Sequence, residues 1–433
     1  MFLCSISGTL KALLLFDEES GIKMKTSANL LWSLGLLIII FGLLFQFYGY
    51  DKTWKLWNIP TMSPCFADTR VITAGAEACA KGLDPMVNNI GDPWNRKLNY
   101  PRVWQLLYAI GVNQEHTAYL GIGLIVLFLA GICLLFPSIS NTAVVCIMGA
   151  LVSPAVLLGV ERANTDLLMF FLLAVSVVAV KRRHLLSTAL ILFGFILKLY
   201  PIFGLMVLLR KKRSIFIVSS AVSIVFALLY AFIKFEEILT ISQVTQKGTL
   251  ISYGLRVFWT SVRHDYPAMG MYAKILSYLA ALSSLVYAFT ALLRTDVPQK
   301  DKDLRYLDSF RAGSAIYLGT FMLGSNWDYR LMFLICTIPQ LLSWANCTSR
   351  SVSRISRITL FALYMSMWYL LITRSAPYIP HGSYLIFLLD ETCNWLVFAG
   401  LLYLLFLSMP AWVKQYADEL ASLTKRFTRR PCR

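Results

Sequence analysis

Charged side chains are scarce in this chain: only 15% of its 433 residues are Asp, Glu, Lys or Arg, whereas 58% are hydrophobic. A soluble domain needs far more polar surface, so this class of protein is excluded. The apolar residues also form unbroken runs, such as 30–48 and 118–136. A helix needs roughly 20 residues to cross a hydrocarbon core of about 30 Å, and each run is about that long. Because backbone polar groups in lipid must be satisfied internally, the sequence predicts an all-α polytopic membrane protein.

Acidic residues are also few, with 23 Asp and Glu against 40 Lys and Arg. The basic residues occur in short clusters between apolar runs, which is typical of cytoplasmic loops and excludes a nucleic-acid partner. The 9 cysteines include no pair with metal-ligand spacing. There is also no glycine-rich phosphate loop, so we expect no metal, no nucleotide and no cofactor. Cys65 and Cys79 share one loop, and a disulfide between them is left open here.

The apolar runs predict a threading of the chain through the membrane. The predicted spans are 28–49, 105–136, 142–159, 165–180, 185–209, 214–233, 270–293, 312–325, 329–345, 358–373 and 383–409. The stretch 185–209 has a basic cluster on each side, and both clusters favour the cytoplasm. Lys198 and Pro201 interrupt it near its centre. Two half-spanning helices that meet at this break resolve the conflict, which gives twelve helical segments.

This threading places both termini in the cytoplasm and predicts a single domain over 1–433 in the plasma (inner) membrane. The lysines that precede the first span predict a retained anchor and no cleaved signal; they are Lys11, Lys23 and Lys25. The longest hydrophilic stretch, 50–104, becomes the first extracytoplasmic loop, and 410–433 becomes a basic cytoplasmic tail. Neither an internal repeat nor a low-complexity linker divides the chain.

Ionisable groups at the edges of spans are candidates for function, because membrane interiors exclude charge. Four groups fall on the predicted outer side: Asp68, Tyr100 and Arg102 in the first loop; Glu161, Asn164 and Asp166 in a polar turn; Lys198 and Tyr200 at the hairpin break; Asp328 and Arg330 between two short spans.

Each of these groups also has a plainer interpretation. Asp68 begins an amphipathic segment through Ala80, so it is either a functional residue, a helix cap or a solvated side chain. Asn164 or Asp166 could likewise cap the helix that follows. Lys198 costs about 2.5–3.5 kcal/mol at membrane depth unless it reaches the surface or meets an anion such as a phosphate. The charges of the fourth group could simply neutralise each other.

In their order along the chain these residues resemble glycosyltransferase family 87, the mannosyltransferase-like group of the GT-C superfamily. The shared pattern is a loop aspartate, a Gly-x-Asp-Pro turn at 82–85, a Tyr-Pro, and a polar turn within 154–166. A Lys-x-Tyr-Pro at 198–201 and an Asp-Tyr-Arg at 328–330 complete it. Two departures concern 100–102, which reads Tyr-Pro-Arg where Tyr-Pro-Pro is usual, and 161–162, which reads Glu-Arg where glutamine is common.

The resemblance implies a GT-C-type fold and an enzyme that moves a hexose, with mannose favoured, from a polyprenyl-phosphate donor. The acceptor would be an extracytoplasmic hydroxyl of a glycolipid or glycan, and Asp68 would be the catalytic base. The donor phosphate would be bound by Lys198, Arg330 and Tyr200. Sugar or acceptor would be bound by Glu161, Asn164, Asp166, Asp328, Tyr100 and Arg102. A base opposite the departing phosphate predicts inversion at the anomeric carbon.

Three other interpretations remain open at this point. A transporter or lipid-linked-sugar flippase is the first, because broken helices with a buried lysine are typical of carriers. A structural subunit without a site is the second, and it leaves Lys198 unexplained. An enzyme of the same superfamily that uses a lipid-linked pentose or glucose is the third.

Overall fold

A computed structural model describes residues 27–246, 248, 250–293 and 304–416 of the chain. Within these ranges, regular structure is helical apart from one antiparallel pair of two-residue strands, Ser252–Tyr253 and Asn326–Trp327. The prediction of an all-α protein is therefore confirmed. The α-helices are Ala28–Tyr48, Tyr50–Lys55, Ala67–Ala80, Thr117–Leu135, Asn141–Leu151, Pro154–Arg162, Asp166–Ala179, His184–Leu197, Arg213–Ile233, Phe235–Val244, Val257–Asp265, Gly270–Leu292, Leu304–Leu323, Ile338–Ala345, Arg350–Ile372 and Gly382–Leu407. The 3-10 helices are Arg102–Ile110, Gln114–His116, Tyr200–Arg210, Pro267–Met269, Asp328–Thr337 and Thr373–Tyr378.

Six helical stretches among the described residues are long and apolar enough to cross a membrane. They are Ala28–Tyr48, Gln114–Leu135, Arg213–Ile233, Pro267–Leu292, Arg350–Tyr378 and Gly382–Leu407. A seventh span results if Asn141–Leu151 and Pro154–Arg162, which are bent by 56°, are counted together. Large apolar side chains such as Phe232 lie exposed on these helices, and lipid is the environment that such a surface requires. The structure thus supports a multi-pass membrane protein.

The predicted span 105–136 begins too early, because a glycine turn separates its first residues from the helix. Arg102–Ile110 forms its own 3-10 helix, and Gly111 then takes the left-handed conformation with φ 77°. Asn113 caps the following turn through a hydrogen bond from the backbone N–H of Glu115. The continuous apolar stretch therefore runs over Gln114–Leu135.

Several other predicted spans are built from pieces too short to cross the membrane alone. Asp166–Ala179 and His184–Leu197 each have 14 residues. A helix of that size is about 21 Å long at about 1.5 Å per residue, which is short of a hydrocarbon core. Asp166–Ala179 is largely buried in the bundle, whereas His184–Leu197 buries one face and exposes large apolar side chains such as Leu185 and Phe193 on the other.

The chain breaks at Lys198, in the middle of the stretch 185–209. Helix His184–Leu197 ends there, and Lys198 has the extended conformation φ −165°, ψ 97°. Pro201 follows within Tyr200–Arg210; proline has no N–H and disfavours helix at the residue before it. Lys211 Nζ donates to the carbonyl of Lys181 at 2.8 Å. Both basic flanks of the hairpin therefore lie together, at one end of the bundle.

The predicted cytoplasmic placement of the two chain ends concerns residues outside the described ranges. This applies to the lysines before the first span and to 417–433 of the basic tail. Their placement stays a prediction.

Gly313, in the middle of helix Leu304–Leu323, lies at a closely packed point of the bundle core. A Cβ atom there would lie 2.6 Å from Cβ of Cys336 and 2.7 Å from the backbone oxygen of Phe333. We expect Gly313→Ala to lower the free energy of unfolding by about 1–3 kcal/mol, because a backbone atom cannot give way. Gly123→Ala is the matched control, since Gly123 lies in a helix with nothing within 4 Å of its Cβ position. Equal unfolding transitions of both variants in detergent would contradict this packing.

Candidate functional site

Asp68 is held at the start of helix Ala67–Ala80, whose bounds match the amphipathic segment expected from the sequence. The helix begins after Phe66, which has φ 62°, and nine of its 14 residues are buried. Thr69 Oγ1 donates to the carbonyl of Ala163 at 2.6 Å. This bond fastens the first turn of the helix against the polar turn at 163–166.

Asn164 links Asp68 to Lys198. Its Nδ2 donates to Asp68 Oδ2 at 2.5 Å, and its Oδ1 accepts from Lys198 Nζ at 2.9 Å. The same Oδ1 accepts from the backbone N–H of Asp166 at 2.8 Å. With both ends of the amide occupied, the side chain has one orientation. The polar turn thus joins the first loop to the hairpin break.

Asp166 lies between two cations. Its Oδ1 is 2.6 Å from Lys198 Nζ and accepts from the Tyr200 hydroxyl at 2.7 Å. Its Oδ2 accepts from Arg330 Nε at 3.2 Å. Asp166 also stands in the first turn of Asp166–Ala179, where the helix dipole favours a negative charge. Residues 68, 164, 166, 198, 200 and 330, which are far apart in sequence, therefore form one continuous polar network.

Aromatic rings surround the ammonium of Lys198. The rings of Tyr100 and Tyr329 have their centroids 5.3 Å and 5.8 Å from Lys198 Nζ. Burial, together with the nearby Asp68 carboxylate, raises the pKa of Tyr100 well above its ordinary value. The Tyr100 phenol is therefore neutral at physiological pH and retains its proton for hydrogen bonding.

The network has an accessible side and a buried side. The side chains of Asp68, Lys198 and Arg330 are 19%, 14% and 15% exposed, whereas Asp166 is fully buried. A carboxylate and two cations thus each keep a small exposed surface, while the anion that holds the cations is buried. Such a surface can accept a proton at one point and hold an anion at another.

Arg96 and Asp92 belong to the site and have no signal in the sequence. Arg96 NH1 is 3.7 Å from Asp68 Oδ1, and Arg96 NH2 donates to the carbonyl of Ala67 at 2.6 Å. Asp92 is buried and accepts from Nε and NH2 of Arg96 at 3.1 Å and 2.8 Å. The guanidinium is thus fixed by two bonds to one carboxylate. Asp92 and Arg96 lie in a loop without hydrophobic periodicity, so the sequence does not indicate that the folded chain places them close to Asp68.

Glu161 lies close to the network but does not join it. Its carboxylate accepts from the backbone N–H of Met62 at 3.0 Å and lies 2.9 Å from Arg162 Nε. The Tyr50 hydroxyl lies 3.4 Å from Oε1. These bonds fasten the first loop to the bundle and leave Glu161 fully buried. The geometry is that of a structural anchor.

Asp328 and Arg102 also lie apart from the network. Asp328 is buried and interacts electrostatically with Asp390 and Glu391. Arg102 pairs at the surface with Asp84, where Arg102 NH2 is 2.7 Å from Oδ2. Residues that are close in sequence, such as Asp328 and Arg330, therefore do not all belong to the network.

Cys65 and Cys79 are both unbonded in the structure. They lie at opposite ends of helix Ala67–Ala80, which is about 21 Å long at about 1.5 Å per residue. A disulfide requires Cα atoms within about 7 Å of each other, so this fold excludes the pair.

Among the residues that the structure describes, no three His, Cys, Asp or Glu side chains are placed to hold a metal ion.

No protein-family model, curated protein or solved structure matches the chain. The resemblance to glycosyltransferase family 87 rests on the residues quoted for it and stays a prediction.

Proposed function

We propose that this protein is a membrane glycosyltransferase of the GT-C type. It moves a hexose, with mannose favoured, from a polyprenyl-phosphate sugar to a hydroxyl of a glycolipid or glycan on the outer face of the plasma membrane. One observation carries the proposal: Asp68, Asn164, Lys198 and Arg330 are joined in one partly exposed network that combines a carboxylate with two cations.

The reaction requires a base and a place for the phosphate. The acceptor oxygen bonds to the anomeric carbon of the sugar while the bond from that carbon to the phosphate oxygen breaks. The acceptor proton passes to Asp68, and the electron pair of the broken bond leaves with the polyprenyl phosphate. Attack opposite to the leaving group inverts the anomeric carbon.

The two carboxylate oxygens of Asp68 have different contacts, and we assign them different roles. Oδ2 is engaged by Asn164, so Oδ1 is the oxygen that faces the acceptor proton. Arg96 NH1 lies 3.7 Å from Oδ1, which is within ion-pair range but beyond hydrogen-bond distance, so Arg96 does not occupy this oxygen with a hydrogen bond.

Lys198 and Arg330 are suited to the phosphate. An ammonium serves as a point charge, and a guanidinium offers a planar set of donors. Arg330 commits its Nε to Asp166, so its remaining donors are directed elsewhere, one of them to Asn326. Buried Asp166 holds both cations in position and becomes a positioning residue in this assignment, whereas the sequence suggested direct contact with sugar.

The proposal is tested with the full-length protein in nanodiscs. Polyprenyl-phosphate mannose, glucose and pentose are supplied in parallel with an octyl glycoside acceptor, and products are identified by mass spectrometry. Transfer from one donor with inversion supports the proposal. Absence of product from all three donors, with the protein folded, contradicts it.

A transporter is the second candidate, because a group of buried carboxyl groups lies inside the bundle. Asp390 and Glu391 occur in the membrane helix Gly382–Leu407 and are 5% and 4% exposed. Asp328 faces them, and no described lysine or arginine forms a salt bridge with any of the three. Buried carboxyl groups in a membrane helix are typical of cation-coupled carriers.

We expect the double substitution Asp390→Asn and Glu391→Gln to leave sugar transfer within about twofold of wild type, because these groups touch no residue of the network. The measurement is the initial rate of the transfer assay in nanodiscs. A carrier would instead lose substrate flux into liposomes by more than about tenfold, as ionisable groups in its path are changed. Loss of flux with no transfer in the wild type would favour the second candidate.

A further inference from the structure

Asn326 is a buried amide that contacts Arg330 and uses both ends of its side chain. It is 5% exposed. Its Oδ1 accepts from NH1 of Arg330, and its Nδ2 donates to the carbonyl of Thr320 at 2.6 Å. A guanidinium can only donate and a carbonyl can only accept, so one orientation of the amide satisfies both. The carbonyl of Thr320 lies in the last turn of helix Leu304–Leu323, where carbonyls lack an intrahelical partner.

The backbone of Asn326 is fixed by a segment from a different part of the chain. Asn326 lies opposite Tyr253 in the antiparallel pair of two-residue strands. The backbone N–H of Asp328 donates to the carbonyl of Ile251 at 3.2 Å. Tyr253 is fully buried, and its hydroxyl lies 2.8 Å from Oγ1 of Thr320. The amide that contacts Arg330 therefore projects from a backbone that is held in place independently of the network.

The guanidinium of Arg330 is held on three sides. Its Nε donates to Asp166 at 3.2 Å, its NH1 donates to Asn326, and its Cζ lies 4.5 Å from the ring centroid of Tyr200. NH2 forms no hydrogen bond with any residue that the structure describes, yet it is not a buried atom without a partner. NH2 is therefore the guanidinium nitrogen that stays accessible to a ligand.

The contact with Asn326 limits how Arg330 can pair with Asp166. Arginine and carboxylate groups favour two parallel hydrogen bonds, but only one forms between these two residues. A guanidinium whose NH1 is bound to a fixed amide is hindered from turning to give Asp166 a second bond. A guanidinium that turned in this way would have fewer donors left for a phosphate. Asn326 thus keeps NH2 available.

We propose that Asn326 is a positioning residue of the phosphate site. It fixes the guanidinium of Arg330 so that NH2 binds the phosphate of the polyprenyl-phosphate donor. Asn326 acts through Arg330 and not by contact with the lipid. This inference rests on the assignment of the phosphate to Lys198 and Arg330 in the proposed function, and it adds the residue that tunes the affinity of that site.

The test measures the Kd of a short-chain polyprenyl phosphate for the full-length protein in nanodiscs, by isothermal titration calorimetry. We expect Asn326→Leu to raise this Kd about tenfold, which corresponds to one hydrogen bond to a charged group. Leucine is close to asparagine in size but forms neither of its bonds. Ser325→Ala is the matched control, because Ser325 donates to the carbonyl of Gly248 at 2.8 Å and does not bond to Arg330. Its Kd should equal that of the wild type.

A double-mutant cycle with Arg330→Met separates positioning from a general structural effect. If Asn326 acts through Arg330, adding Asn326→Leu to Arg330→Met leaves the Kd unchanged, because the group that Asn326 positions is gone. A purely structural role would instead raise the Kd by the same factor in both backgrounds. Thermal unfolding curves check that each variant is folded. Asn326→Ala removes the same two bonds with less bulk and replaces Asn326→Leu if that variant does not fold.

The outcomes separate this inference from the proposed function. An unchanged Kd in Asn326→Leu, an equal rise in Ser325→Ala, or an additive cycle overturns the inference, and sugar transfer by the wild type would still support the proposed function. If the wild type binds the lipid and the cycle is non-additive but no donor yields product, the role of Asn326 in phosphate binding stands and the proposed function fails. A wild type that does not bind polyprenyl phosphate overturns the inference.

Discussion

Asp68→Asn is expected to lower kcat of sugar transfer by about 10²–10⁴-fold, which is the usual contribution of a general base. The amide has the size of the carboxylate and keeps an oxygen that can accept from Asn164 Nδ2. It cannot take the acceptor proton. The network should therefore stay assembled while the chemical step is lost.

The measurement is steady-state transfer in nanodiscs, together with a thermal unfolding curve for each variant. Asp51→Asn is the matched control: Asp51 is an exposed aspartate at the start of another helix in the same loop. We expect its kcat to equal that of the wild type. Full activity of Asp68→Asn would remove Asp68 from the role of base, even if the protein is a transferase.

The break in the hairpin was predictable because it follows from local physical chemistry. A lysine is costly in lipid, and proline disrupts helical hydrogen bonding, wherever the two occur in the fold. The basic clusters on both sides of 185–209 gave independent information about its geometry. The contact between Lys211 and Lys181 agrees with that expectation.

Which residues form the site was less predictable, because this depends on the directions in which side chains point. The sequence does not contain that information. Glu161 and Asn164 are three residues apart, yet they face different parts of the first loop. Helix Pro154–Arg162 ends at Ala163, whose left-handed conformation, φ 44°, turns the chain. Asn164 then points to Asp68, while Glu161 remains with Met62. A cluster of polar residues in the sequence indicates a turn, but it does not show which of their side chains contact a distant loop.

Arg96 shows the same limit of prediction from sequence, because it lies in the site although no sequence pattern indicates this. It lies 28 positions after Asp68 (96 − 68 = 28) in a stretch without periodicity, so no pattern relates the two residues. Their proximity depends on Asp92, whose buried carboxylate accepts the backbone N–H of Arg96 at 2.8 Å as well as its side chain. Only long-range packing of the loop produces this arrangement.

Asp166→Asn is expected to lower the free energy of unfolding by about 3–5 kcal/mol, because it removes one partner from a buried ionic group. Lys198 and Arg330 would then lie close together with no anion between them. Their side chains are only 14% and 15% exposed, so water compensates for little of this loss. The helix beginning at residue 166 also loses the negative charge in its first turn.

The double variant Asp166→Asn, Lys198→Met is the control, since it removes a charge of each sign. We expect it to recover a large part of the lost stability in SDS titration of the protein in mixed micelles, because an apolar replacement of a buried pair is often tolerated. A double variant as unstable as the single one would show that Asp166 acts through its shape and not through its charge.

The effect of added polyprenyl phosphate on stability is the most direct test of the arrangement of Asp166, Lys198 and Arg330. If Lys198 and Arg330 bind the phosphate, the lipid supplies the anion that Asp166→Asn lacks. The lipid should then raise the unfolding midpoint of this variant more than that of the wild type, because a ligand stabilises the folded state in proportion to its affinity for it. The double variant, which has lost one of the two cations, should respond least. An equal response of all three proteins would place the phosphate elsewhere and leave Asp166 with a purely structural role.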